Sequence, residues 1–78
     1  MAPPDERVRD VLAKRAPVLR TLADESARKP SLVDRLDCSR STVDRAVADL
    51  IEIGFVSEEG GRYAATTAGR LALREQER

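Results

Sequence analysis

Few side chains in this chain can do chemistry, and most of them gather in one short stretch. There is no histidine, and Cys38 is the single cysteine. Neither an internal disulfide nor a metal site is therefore expected, and no cofactor is implied. No glycine-rich phosphate loop and no nucleophile-elbow serine occurs. The carboxylate pairs Asp5-Glu6 and Glu58-Glu59 are adjacent in sequence, which suits capping and solubility better than acid–base work. So short a chain also has little room for a deep pocket. The expectation is that the protein is not an enzyme. What remains is the run Ser39-Arg40-Ser41-Thr42, with Arg45 one turn further on. These hydroxyl and guanidinium groups are hydrogen-bond donors at the start of an apolar helical pattern. Each has an ordinary reading as well. Ser39 can simply cap a helix. Arg45 can pair with Asp49 on a solvated face, a contact worth about 0.3–0.5 kcal/mol. Cys38 lies near a helix amino terminus, which can lower a thiol pKa, but a buried structural thiol is the commoner case.

The elements that would hold these groups follow from periodicity. Pro3, Pro4, Asp5 and Glu6 favour a helix start. Val8, Val11 and Leu12, then Val18, Leu19, Leu22 and Ala23, continue at helical spacing. Pro17 interrupts them, so a first helix over 5–24 is expected to be kinked or split at Arg15 to Pro17. Asp24 to Lys29 reads as a polar loop. Pro30 opens a short second helix over 30–36 with Leu32, Val33 and Leu36 inward. Asp37 and Cys38 form a tight break, Asp being one of the few non-glycine residues that tolerate positive φ. Ser39 caps a third helix over 39–53 with the stripe Val43, Ala46, Val47, Leu50 and Ile51. Gly54 ends it. A hairpin over 55–65 turns at Gly60-Gly61, and Thr66 caps a last helix over 66–78. Helix, helix, turn, helix, two-stranded hairpin, helix is a winged helix-turn-helix: a mainly α domain spanning 1–78, with a small β wing.

Composition narrows the partners. The chain has 78 residues, 41% hydrophobic and 36% charged, as expected for one compact soluble domain. Phe55 and Tyr63 are its only aromatics, too few for stacking single-stranded bases. No apolar run approaches a membrane span and no signal-peptide core opens the chain, so no membrane partner and a cytoplasmic location are expected. The formal net charge is zero, an awkward value for a DNA binder. The charges are segregated, however. Between Arg28 and Ala48, five cations (Arg28, Lys29, Arg35, Arg40, Arg45) face three acids, whereas Asp49 to Glu59 holds acids alone.

The segment LVDRLDCSRSTVDRAVADLIEIGFV resembles the DNA-binding core of archaeal winged-helix transcription regulators, especially haloarchaeal ones. In layout it is similar to multiple-antibiotic-resistance and arsenic-resistance repressors. RYAATTAGRLAL resembles their second wing strand and following helix, where a Thr-x-x-Gly-Arg run is common. Together these cover about Ser31 to Leu73. Several such regulators carry a longer effector domain after this region, so the chain is expected to be an excised domain or a minimal regulator.

The resemblance implies that the third helix reads double-stranded DNA in the major groove. At 100° per residue, Ser41, Arg45, Ala48 and Glu52 face away from the apolar stripe. Arg45 is the expected base reader, because arginine can bond both acceptors of guanine. Ser41 and Thr42 would read bases or touch a thymine methyl. Arg40 and the Ser39 cap would grip phosphate. Asp44 either orients Arg40, the favoured reading, or accepts from a cytosine amino group. Arg62, next to the wing turn, would reach phosphate or an A·T-rich minor groove, though Glu58 and Glu59 oppose this. The family also implies a homodimer through the first or last helix, using Val8, Val11 and Leu12 or Leu71 and Ala72. The alternative is a winged helix used for protein contact in the transcription machinery, which neutral charge and an acidic wing favour.

Overall fold

The computed structural model describes residues 4–76, with side chains from Glu6 onward. Pro3 of the predicted helix entry and the predicted end of the last helix at 77–78 lie outside the described residues. Helix α1 (Pro4–Asp24) runs the length of the molecule. Its Leu12, Ala16, Val18, Leu19 and Leu22 are buried, so the core-facing stripe continues on both sides of Pro17. The helix does not split there. Pro17 is exposed, and a carbonyl that loses its intrahelical donor on a solvated face can bond water instead. The Thr21 hydroxyl donates to the Pro17 carbonyl oxygen at 2.9 Å within the same turn.

The polar stretch expected as a loop contains a strand, β1 (Ala27–Arg28). Helix α2 (Lys29–Leu36) begins directly after it, one residue earlier than predicted, with Pro30 in its first turn. Asp37 closes α2 in the left-handed conformation at φ 51° and ψ 47°, turning the chain sharply towards helix α3 (Arg40–Glu52). Ser39 precedes α3 as its cap: Ser39 Oγ accepts from the Thr42 backbone N–H at 3.1 Å. At the other end Gly54 takes φ 85°. Its N–H bonds the Ile51 carbonyl at 3.0 Å, and that of Phe55 bonds the Leu50 carbonyl at 2.8 Å. This paired closure satisfies two of the helix's free carbonyls and brings Phe55 against Leu50 in the core.

Strands β2 (Val56–Glu59) and β3 (Arg62–Ala65) form the hairpin. Gly60 and Gly61 connect them at φ 58° and 80°, the doubly left-handed turn whose twist matches paired strands. Glu58 Oε2 accepts from the Gly61 N–H at 2.8 Å. The sheet has three strands in the order β1-β3-β2, all antiparallel, with Ala27 opposite Tyr63 and Arg28 opposite Arg62. The predicted two-stranded wing is thus extended at its base. Ala27 is buried, and its pairing covers the inner edge of β3, which would otherwise be open.

Helix α4 (Thr67–Gln76) packs back across α1. Thr66 caps it, accepting from the Gly69 N–H at 3.1 Å and donating to the Gly54 carbonyl at 2.7 Å. Gly69 is required here. A Cβ at that position would collide with the Phe55 carbonyl oxygen and stand 3.1 Å from Leu19 Cδ1. Arg70 Nη1 donates to the Ala23 carbonyl at 2.7 Å, at the carboxy-terminal end of α1, where a cation is favoured. The Thr-x-x-Gly-Arg run therefore has a mechanical meaning: cap, close approach, and tether. Leu19, Leu22, Leu32, Val43 and Leu50 are the largest fully buried side chains, each contributing about 1.5–3 kcal/mol relative to exposure. They join all three helices of the core.

Candidate nucleic-acid interface

Helix α3 divides cleanly between a covered and an open side. Val43, Ala46, Val47 and Leu50 are buried, whereas Ser41, Thr42, Arg45, Ala48 and Glu52 are exposed. Ile51 does not join the buried stripe as predicted. It is 40% exposed, because its position lies about a quarter-turn from the centre of that stripe. Among the described residues, nothing covers Ser41 or Arg45. Ser39 and Arg40 are exposed beside them at the helix start. The hydroxyls of Ser39 and Thr42 lie 2.9 Å apart, so the cap leaves these two side chains fixed together at the amino-terminal end of α3.

The acids on α3 are neutralised from outside the helix. Arg7 of α1 reaches Glu52 at 2.7 Å, Arg15 of α1 reaches Asp49 at 3.2 Å, and Lys29 of α2 reaches Asp44 at 2.7 Å. These pairs correct one sequence expectation and set aside one ordinary alternative. Asp44 does not orient Arg40; its carboxylate is ion-paired with the Lys29 ammonium, and Arg40 acts on it only through space. Asp49 does not take Arg45; its Oδ2 accepts from Arg15 Nε. Among the described residues, Arg45 has no hydrogen bond or ion pair. Lys29 makes the Asp44 carboxyl more acidic than usual, and Asp44 and Tyr63 make the Lys29 ammonium harder to deprotonate. The same ammonium lies 5.7 Å from the centre of the Tyr63 ring. Lys29 thus joins α2, α3 and β3.

The wing supplies a second cationic feature. Strand alternation puts Arg28, Arg62, Glu59, Ser57 and Ala64 on the outer face of the sheet, where they line a shallow groove with Ser26 and Gly60. Arg28 and Arg62 are direct cross-strand neighbours, an arrangement of like charges that is unfavourable by itself. Backbone acceptors hold each of them. Arg28 Nη1 donates to the Gly60 carbonyl at 3.1 Å, and Arg62 Nη1 lies 3.5 Å from the Ser26 carbonyl. Arg62 therefore stands apart from the α3 cluster, on the other side of the Lys29 junction. Arg28 was missed as a site residue because β1 has only two residues and no readable period. Cys38 packs against the core cluster but is only half-buried, less than the buried structural thiol of the ordinary reading. Among the described residues, no cluster of three or more His, Cys, Asp or Glu is arranged to hold a metal ion. No helix there is long and apolar enough to cross a membrane.

The sequence profile of the HVO_A0261 N-terminal domain matches residues 6–78. The chain belongs to that family. Solved structures place this chain among winged helices. It superposes on an ArsR-like transcriptional regulator from Rhodococcus sp. RHA1 with a TM-score of 0.73 and 25% identity, over 91% of this chain and 73% of that one. On HlyU from Vibrio cholerae N16961 the TM-score is 0.74 at 21% identity, over 94% of this chain and 87% of that one. A structure of PigF with SAH gives 0.62 at 20% identity, but the match covers 92% of this chain and only 24% of that one. No curated protein matches the sequence. The expected fold class, mainly α with a small β wing, is that of these structures, and the likeness supports a winged helix-turn-helix regulator.

Proposed function

We propose that the chain is a sequence-specific, double-stranded DNA-binding transcription regulator of archaeal type, without enzymatic activity, acting in the cytoplasm as a homodimer. The observation that carries this reading is the state of α3. Its acids are each engaged by a cation from α1 or α2, while its open side presents Ser41 and Arg45, the latter without an ion pair among the described residues, with Arg40 exposed at the helix start. That is how a neutral domain can turn a locally positive, hydrogen-bond-donating surface to a polyanion. In this reading Arg45 reads a guanine edge, Ser41 and Thr42 contact bases, and Arg40 and the Ser39 end of α3 hold phosphate. Arg62, joined by Arg28, holds the flanking backbone or minor groove.

A second copy would pack on the apolar surface left by α1 and α4. Leu71 is 53% exposed, and Val8, Val11 and Ala72 are half-buried at the edge of the core. Leu12 is committed to the core instead. Two recognition helices related by a two-fold axis imply a near-palindromic site with about 10 bp between half-site centres. The test is selection of bound sequences from a random duplex pool, followed by affinity against salt. Three phosphate contacts per subunit (Arg28, Arg40, Arg62) correspond to a slope of log K on log salt of about −2.7 per subunit. No enriched sequence and a flat salt response would remove the DNA reading and favour a protein-binding winged helix.

A further inference from the structure

The pairs that neutralise α3 are not equivalent, and one of them bears on Arg45. In the Arg15–Asp49 pair the side chains are 16% and 35% exposed, against 60% and 63% for Arg7–Glu52. Arg15–Asp49 is therefore the less screened contact. Asp49 also stands one turn after Arg45 on the same helix, and side chains four apart on a helix are neighbours. An unoccupied Asp49 carboxylate would be the natural acceptor for the Arg45 guanidinium. In the folded chain Arg15 draws on that acceptor first: Arg15 Nε donates to Asp49 Oδ2, one of its two oxygens, at 3.2 Å. Among the described residues, Arg45 is left with its donors free.

We propose, resting on the DNA-binding reading above, that Arg15 is a positioning residue for DNA recognition. By occupying Asp49 from the neighbouring helix, it prevents Arg45 from folding down along α3 and keeps that guanidinium available to a base edge. Arg15 itself lies between α1 and α3, half-buried, and does not touch DNA. The arrangement is a competition among three side chains in which the inter-helix pair wins over the intra-helix one.

The competition gives a distinctive mutational pattern, read as affinity for a duplex selected by the wild-type protein at low salt. Arg15→Met keeps the apolar stem while removing the charge, and should weaken binding about two- to fourfold, the scale of an exposed helical ion pair acting in one or two subunits. Adding Asp49→Asn should restore wild-type affinity, because the competitor is gone. Arg45→Ala should cost less in the Arg15→Met background than in the wild type, since part of its role is already lost. Circular dichroism melts of the same variants report the fold separately. Wild-type affinity for Arg15→Met overturns the proposal, as does a loss that Asp49→Asn fails to restore, which would mark Arg15 as purely structural. If the wild-type protein binds the duplex but Arg45→Ala changes nothing in either background, the assignment of Arg45 as reader has failed and this inference falls with it.

Discussion

Gly69 is the position where one methyl group should do the most damage. The first turn of α4 crosses the start of β2 so closely that an alanine Cβ would run into the Phe55 carbonyl oxygen and press on Leu19. That carbonyl is not free to retreat, because it accepts from the Thr66 N–H at 2.9 Å, and Thr66 is itself the cap of α4. Relieving the overlap means shifting helix or strand, at about 1–3 kcal/mol for overpacking and about 1 kcal/mol for the disturbed hydrogen bond. Replacing glycine by alanine within a helix returns up to about 1 kcal/mol. The net loss is then about 1–3 kcal/mol, a substantial share of the roughly 4–12 kcal/mol typical of a domain this size. At about 4–8 °C per kcal/mol, Gly69→Ala should melt about 5–20 °C below wild type by circular dichroism. Ala68→Gly, its exposed neighbour, serves as the control and should cost no more than about 1 kcal/mol. A Gly69→Ala protein melting at or above the wild-type temperature would show that α4 does not approach β2 in this way.

The other predictions concern the interface and its ion pairs. Arg45→Ala should weaken binding to the selected site by about 1–3 kcal/mol and relax preference at one base pair. Its melting temperature should stay near wild type, because Arg45 is exposed and makes no hydrogen bond or ion pair among the described residues. Ser39→Ala should lower stability by about 1 kcal/mol in urea titration, through loss of the bond to Thr42. Stability should also decline at both ends of the pH range. Glu25 and Asp44 are made more acidic by Arg35 and Lys29; a carboxylate so depressed stabilises the fold above its unfolded value, and that contribution disappears as pH falls through the folded one. Lys29 is shifted upward by Asp44 and Tyr63, so its contribution is present at neutral pH and lost as pH rises beyond the ordinary lysine range. Asp44→Asn should flatten both limbs in a plot of urea midpoint against pH, and unaltered limbs would discard the pair as their cause.

What could be read from the sequence was local. Ser39 before an apolar stripe, Gly54 after it, Gly60-Gly61 between two strand-like runs and Asp37 at a sharp break each act within a few residues. Backbone geometry rewards those residue types wherever they occur. Of the two outcomes read from Pro17, a kink or a split, the split does not occur: its local effect is to break a helix, and the core on both sides of it keeps α1 continuous. Strand β1 was invisible because two residues carry no period, and its existence depends on β3 lying nearby. The outward residues of α3 followed from helical periodicity, but their partners did not. Arg7–Glu52, Arg15–Asp49 and Lys29–Asp44 join residues far apart along the chain, and two of the three acids had a plausible local partner instead. Asp49 beside Arg45 and Asp44 beside Arg40 are sequence neighbours that tertiary packing separates.

Nothing lies between β1 and α2: Arg28 ends the strand and Lys29 begins the helix. A connection without slack cannot act as a hinge, and the Lys29 ammonium spans from there to both Asp44 and Tyr63. The sheet and α3 are therefore coupled, as the two jaws of a caliper held at one opening. On the DNA-binding function proposed above, a duplex gripped by both has to match that opening, so differences in groove width or bendability among sequences would be met by deformation of the DNA rather than of the protein.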